Sequence, residues 1–304
     1  MPNLILTYRC NNNCEFCFAD SEYQKKEISL DELNQLLPFL HSFKRESIRL
    51  VGGEPTLNPD FIEIMNFLFQ QGFKVNIFTN GKLQTHLIEK LKTIQEEFHF
   101  CVNRTNPILT SEIIQFYQKL GYRIQLSVTF FQTSQSVDHI LDEILTYKLD
   151  RQYRLGIALP IFPGRQNQYL HPNDYLLASE KLFAFFKKGI QSDIRPSFDC
   201  GFPYCFFNEE QKRYFEENNI QFFSNCGIIP DITPDFFAIH CFPLAYFKQP
   251  VSDNMTWQIL QQKFDTTLNA CKYEPIFEKC KECKELHTKK CSGGCMSLRL
   301  KADQ

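Results

Sequence analysis

Asn3-Leu4-Ile5-Leu6-Thr7-Tyr8-Arg9-Cys10-Asn11-Asn12-Asn13-Cys14-Glu15-Phe16-Cys17 is a short apolar run that leads into three thiols within eight residues. Asn3 to Tyr8 reads as a strand, and Cys10-x3-Cys14-x2-Cys17 as the loop after it. Three thiolates are one short of the four that fully ligate a [4Fe-4S] cluster, so a cluster held here leaves one iron open to an external ligand. The same spacing also suits a zinc ion completed by a distant residue.

Working outward, strand-like runs alternate with amphipathic stretches to about residue 198. Ser47 to Val51, Phe73 to Thr79, Phe98 to Val102, Tyr122 to Phe130 and Tyr153 to Leu159 are the further strands. Ser29-Leu30-Asp31-Glu32 is a capping box, followed by Leu33, Leu36, Leu37 and Leu40 at helical spacing. Asn58-Pro59 reads as an N-cap and first-turn proline for a helix to Gln71 that Gly72 ends. Helices are also expected over Leu83 to Glu96, Ser111 to Leu120, Val137 to Tyr147, and Asp174 to Lys188 with Gly189 as the stop. Six strand-helix units imply a parallel α/β sheet with right-handed crossovers, either a partial barrel or an open doubly wound sheet. Ligands of such sheets bind at the carboxyl ends of the strands. The three-cysteine loop and Gly52-Gly53-Glu54-Pro55 both fall there.

The chain has 304 residues, 43% of them hydrophobic, enough for a substantial core. A formal charge of -2 offers no broad attraction for nucleic acid or an anionic membrane. The N-terminus lacks a charged n-region, and no apolar run approaches the roughly 18 residues of a membrane span, so a cytoplasmic protein is expected. Thirteen cysteines in a reducing compartment argue for metal binding or catalysis in place of disulfides. Cys101, isolated among apolar neighbours, reads as a small core residue.

Cys10-x3-Cys14-x-Phe16-Cys17 after a first strand, with Gly52-Gly53-Glu54-Pro55 after a second, resembles the radical S-adenosylmethionine (SAM) enzymes over about 200 residues. The resemblance implies a partial (β/α)6 barrel over residues 1–198, a cluster on Cys10, Cys14 and Cys17, and SAM on the open iron. Reductive cleavage of SAM then gives a 5'-deoxyadenosyl radical that abstracts a substrate hydrogen, with electrons from an external donor of flavodoxin or ferredoxin type. Gly52 and Gly53, lacking Cβ, would let backbone approach the methionine moiety, and Glu54 would orient its amino group. Phe16 is implied against the adenine, Ser127 near the ribose, and Asn80 at the border of the pocket. Asn80-Gly81 also reads as an ordinary turn pair.

Beyond residue 198 turn formers and cysteines replace the alternation. Cys280-x2-Cys283-x7-Cys291-x3-Cys295, preceded by Cys226-x14-Cys241, could be a zinc knuckle taken alone. After such a core it resembles the SPASM or shorter Twitch extension, which implies one or two auxiliary [4Fe-4S] clusters in residues 199–304. Two departures stand out: no cysteine follows Cys295, and Phe236 stands where a glycine is usual, five residues before Cys241. A family-like division gives one cluster Cys226, Cys241, Cys295 and either Cys200 or Cys205. The other takes Cys280, Cys283 and Cys291, with Cys271 a candidate for the missing fourth ligand. One of Cys200 and Cys205 would then be spare. Lys279, Lys281, Lys284, Lys289 and Lys290 read as a solvated face.

The expected function is modification of a ribosomally made precursor peptide, with a thioether, C-C or C-O crosslink as outcome. Only nine residues precede Cys10, so a separate leader-recognition protein, or direct capture of the peptide, is expected. Alternatives are a radical enzyme acting on a small molecule such as a sugar or cofactor precursor, and a zinc-binding protein without catalysis.

Overall fold

The computed structural model describes residues 1–18, 27–163, 166–222 and 224–302. Seven parallel strands cross one sheet in chain order: β1 (Asn3–Ile5), β2 (Ser47–Val51), β3 (Lys74–Thr79), β4 (Phe98–Asn103), β5 (Ile124–Phe130), β6 (Gln152–Ile157) and β7 (Arg195–Phe198). The crossovers are α1 (Leu30–Ser42), α2 (Phe61–Gln70), α3 (Thr85–Lys92), α4 (Ser111–Leu120), α5 (His139–Tyr147) and α6 (Tyr175–Gln191). Along β3, β5 and β6 one row of side chains is fully buried against the helices, and the other is half-buried and lines the inner face. This is the parallel α/β sheet that the alternation implied, in the open-barrel form that the family resemblance implied.

The sheet is longer than the sequence indicated. Beyond β7 the chain forms α7 (Glu209–Glu217) and returns to the opposite edge, where β8 (Asp231–Ile232) pairs parallel with β1. β9 (Phe237–Ile239) and β10 (Lys248–Pro250) then add antiparallel, giving ten strands in the order β10-β9-β8-β1-β2-β3-β4-β5-β6-β7. Three helices complete the chain: α8 (Trp257–Lys272), α9 (Lys284–His287) and α10 (Met296–Ala302).

Three local expectations are corrected. Asn58 does not cap α2. Its carboxamide donates to the carbonyls of Leu6 (2.9 Å) and Ile28 (3.0 Å) and accepts from Asp60 N, so the helix begins at Phe61. Gly189 does not end α6, which continues to Gln191. A Cβ there would lie 3.0 Å from the Ile194 carbonyl, so this glycine serves close packing and not termination. α3 is shorter at both ends than the Leu83 to Glu96 stretch. The Ser29–Glu32 capping box is present as read.

Much of the phenylalanine excess has one destination. Phe186, Phe198, Phe202, Phe207, Phe215 and Phe222 pack largely edge to face, with centroids as close as 4.9 Å for Phe207–Phe215 and 5.3 Å for Phe198–Phe222. Such pairs favour tilted or perpendicular rings, and here they tie the loop after β7 to α6 and α7. Elsewhere the core encloses an ion pair. Arg104 and Glu143 are 3% and 7% exposed and bond through both carboxylate oxygens at 2.8 and 2.9 Å, with Tyr117 Oη donating to the same carboxylate.

Candidate active site

The chain leaving β1 is held by the loop leaving β2. Gly53 N donates to Thr7 O (2.8 Å) and Glu54 N to Arg9 O (2.7 Å), immediately before Cys10. A Cβ on Gly52 would lie 2.3 Å from Thr7 O, and one on Gly53 2.4 Å from Arg9 O and 2.6 Å from Tyr8 O. Real Cβ atoms do not come this close. Both glycines are therefore required by the protein's own backbone, a reason the sequence did not reveal.

Glu54 is fully buried. Its Oε1 accepts from Thr56 N, Thr56 Oγ1 and Thr79 Oγ1, and its Oε2 accepts from Asn80 N at 2.7 Å. Burial raises its pKa, and these four donors act against the rise. The carboxylate thus ties the loop after β2 to the turn after β3. That turn grips the cysteine loop: Asn80 Nδ2 donates to Asn11 Oδ1 (2.6 Å) and lies 4.0 Å from Cys10 Sγ. Lys82 Nζ donates to Asn12 Oδ1 (2.6 Å), and Asn11 Nδ2 donates to Lys82 O. Asn80 was singled out from the sequence; Lys82 was not. The available signal was the run of three asparagines between Cys10 and Cys14, polar groups that need partners when the loop folds back.

Cys10 is exposed and Cys14 and Cys17 half-buried. Burial, then the thiolates of Cys17 and Cys10, push Cys14 up to about 11, with Lys82 opposing. Cys10 is also raised, first by burial, while the Asn12 amide and Asn80 side chain oppose. Three mutually repelling thiolates in one loop are unfavourable until a cation relieves them, which fits an iron cluster. Among the described residues no three His, Cys, Asp or Glu side chains are gathered tightly enough for a single metal ion. A [4Fe-4S] cluster makes a different demand, with each thiolate on its own iron.

Phe16 packs on Phe131, just past β5, with centroids 5.3 Å apart. Pro55 is buried at the start of a 3-10 turn. Ser127 lies on the inner face of β5, across from Asn103 and Arg154, and bonds the buried Cys101 thiol. A cavity of about 180 Å³ lies between the cysteine loop and the β8–β10 segment, lined by Tyr8, Phe18, Phe237, Tyr246, Asp235 and Lys248 among others.

The later thiols fall into two sets. Burial raises Cys200, Cys226 (to about 12), Cys241 and Cys295, and the thiolates of this group act on one another: Cys295 on the other three, Cys226 on Cys200 and Cys241, and Cys200 on Cys241. Cys291 instead feels Cys205 and Cys280. Its sulfur accepts from Tyr204 N (3.4 Å) and Gly293 N (3.2 Å), which seats the 204–205 turn beside it, while Cys283 N bonds Cys280 O. Cys271, in the last turn of α8, is not among the charged neighbours acting on any of these five raised thiols. Phe236 adopts φ +63°, the left-handed conformation that glycine takes without strain, so the turn between β8 and β9 keeps its shape despite the side chain. The five lysines of the 279–290 stretch are exposed, as read.

Residues 4–154 match the family model described as the Radical SAM superfamily. Over 150 residues the chain is 28% identical to a putative glycyl-radical enzyme activating enzyme of Methanocaldococcus jannaschii, covering 45% of this chain and 58% of the relative. It is 38% identical over 82 residues to an S-adenosylmethionine-dependent nucleotide dehydratase of Selenomonas ruminantium, covering 27% of this chain and 30% of the relative. It is 31% identical over 113 residues to a probable GTP 3',8-cyclase of Sulfolobus acidocaldarius, covering 36% of each. The chain thus spans little more than half, or about a third, of the curated relatives it matches. Among solved structures, anSMEcpe with bound AdoMet and the Kp18Cys peptide superposes with a TM-score of 0.70 at 17% identity, covering 98% of this chain and 90% of that one. Streptococcus suis SuiB bound to precursor peptide SuiA gives 0.71 at 15%, covering 97% and 71%. Residues 4–154, the part that carries the cysteine loop and the Gly-Gly-Glu-Pro loop, are thus a domain of the radical SAM superfamily.

Proposed function

We propose that this protein is a radical SAM enzyme that abstracts hydrogen from a peptide and leaves a crosslink of thioether, C-C or C-O type. The observation that supports the reading is the likeness in fold, over 98% and 97% of the chain, to two proteins solved with peptides bound. Cys10, Cys14 and Cys17 would hold a [4Fe-4S] cluster. Gly52 to Pro55, Asn80, Phe16 and Ser127 would border SAM, with Glu54 fixing the pocket wall. When bound, the cluster and SAM supply reductive one-electron chemistry, powered by an external donor, that ends in hydrogen abstraction. The chain's own part is to bind, orient and exclude water. Phe16 on Phe131 supplies an apolar wall, and Asn80 and Lys82 fix the cysteine loop. The cavity beside Tyr8 and Phe18 admits one side chain, with Asp235 and Lys248 as polar ends.

The two thiol sets support a division of the auxiliary ligands into Cys200, Cys226, Cys241 and Cys295 for one cluster, and Cys205, Cys280, Cys283 and Cys291 for the other. Cys205 then takes the place expected of Cys271, and neither Cys200 nor Cys205 is spare. Iron and sulfide quantitation with Mössbauer spectroscopy checks this. Cys271→Ser retains the full iron content, whereas Cys205→Ser loses or alters one cluster; the reverse result refutes the assignment.

The activity test incubates reduced, reconstituted protein and SAM with precursor-type peptides, with and without a leader-recognition protein, and separately with sugars and nucleotides. Formation of 5'-deoxyadenosine together with loss of two hydrogens from a peptide is expected. Stimulation of SAM cleavage by a small molecule alone, with every peptide unchanged in mass, would overturn the peptide reading.

A further inference from the structure

A second cavity, of about 320 Å³, lies at the N-terminal ends of the strands, whereas the cysteine loop and Gly52–Pro55 follow their C-terminal ends. Arg49 of β2, Asn76 and Phe78 of β3, His99 of β4, Gln125 of β5 and Arg154 of β6 line it. Both guanidiniums stand over the Phe78 ring, at 5.8 Å for Arg49 and 5.0 Å for Arg154.

The charges do not balance. Arg154 is paired with Asp199 at 2.6 Å. Arg123, at the rim, is spent on the carbonyls of Ile94, Glu96 and Phe98, and Asp150 Oδ1 accepts from Gln152 N. Asp199 and, more weakly, Asp231 act on Arg49 without hydrogen-bonding it, and Asp231 bonds Asn3. Among the described residues nothing accepts a hydrogen bond from the Arg49 guanidinium and no carboxylate pairs with it, yet it is half-buried beside a second arginine. Five donors in a fixed fork are left over, and contact with a ring face does not satisfy them. A half-buried guanidinium with no anionic partner, beside a second arginine, is a ready receiver for an anionic ligand.

We infer that this cavity is an oxyanion site in which Arg49 takes a carboxylate or phosphate group of a small ligand, with Arg154 beside it and Asn76, His99 and Gln125 lining the space for its remainder. Guanidinium forks match both oxyanions bidentately, and the cavity is roomy enough for a group of several atoms. Its position at the far end of the barrel makes the occupant distinct from SAM. The inference does not depend on what the enzyme acts on.

Thermal unfolding of the reconstituted full chain tests it, with inorganic phosphate and acetate titrated separately at constant ionic strength against chloride. In wild type, one or both oxyanions raise Tm saturably, and the pair of titrations tells phosphate from carboxylate. Arg49→Gln is expected to weaken this response at least tenfold, while in chloride alone it unfolds no earlier than wild type, because an unpaired charge has been removed. Arg49→Lys keeps the charge but not the fork, and is expected to retain a weakened response should the glutamine variant fail to fold. No saturable response in wild type, or an equal response in both variants, would overturn the inference. So would a glutamine variant that unfolds well below wild type in chloride, which would make Arg49 a structural residue.

Discussion

Replacing Gly53 by alanine adds one methyl group at the point where the loop after β2 touches the chain entering Cys10. The methyl would fall 2.4 Å from Arg9 O and 2.6 Å from Tyr8 O, both rigid backbone atoms, so the two segments must part. Parting them strains the bonds from Gly53 N to Thr7 O and from Glu54 N to Arg9 O. Overpacking of this kind costs about 1–3 kcal/mol and each lost bond about 1, so a destabilisation of about 3–5 kcal/mol is expected. Gly72→Ala is the control. Nothing lies within 4 Å of its added Cβ, and φ is +82°, so only a left-handed alanine is introduced. That costs about 1–2 kcal/mol. Urea unfolding of the metal-free variants gives the stability difference, and iron quantitation after reconstitution shows whether Cys10 is still delivered. Gly53→Ala is expected to lose the iron of the Cys10 loop while Gly72→Ala keeps it. If Gly53→Ala were no less stable than Gly72→Ala and bound full iron, the claim that this contact sets the cysteine loop would fail.

Glu143→Ala should cost about 3–5 kcal/mol by urea unfolding, because it strands Arg104 in the core, whereas the double variant Arg104→Met/Glu143→Leu should lie close to wild type or above it. Asp231, fully buried, is pushed up to about 7 from 3.8 by burial. Its protonated form is thus favoured by folding, and that contribution is complete below pH ~4 and lost as pH rises through ~7. The stability of wild type relative to Asp231→Asn should accordingly fall by about 1.4 kcal/mol per pH unit across that window, and parallel pH profiles would disprove it. Glu54→Gln keeps one acceptor oxygen but turns an amide N–H toward Asn80 N, so a loss of about 1–3 kcal/mol is expected in the same assay.

β2 to β6 were legible because each runs five to seven residues, long enough to show a period, whereas β1, only three residues long, was read from the apolar run that leads into the cysteine loop. β7 to β10 were not legible, since they run two to four residues, β7 carries Pro196, and each is defined by its neighbour more than by its own pattern. Asn58 has the composition of a cap, yet distant carbonyls of Leu6 and Ile28 claim its side chain, and no local rule contains them. Gly52 and Gly53 were recognised as a close approach, though the partner proved to be backbone of residues 7 to 9. Phe236 looked like a departure in sequence, but its backbone retains the glycine conformation. The proposed division of the later thiols rests on the 204–205 turn folding onto Cys291, a contact across 87 residues.

β1 is three residues long and lies between β2 and β8, with Asn3 N bonded to Pro230 O and its side chain to Asp231. A fragment ending at β7 would strip one side of that strand and leave its backbone donors and acceptors open to any passing chain. The last third of the polypeptide therefore acts as a guard against edge-to-edge aggregation for the segment that delivers Cys10. A truncated core should be sticky and poorly soluble even where every residue that touches the cofactor is retained.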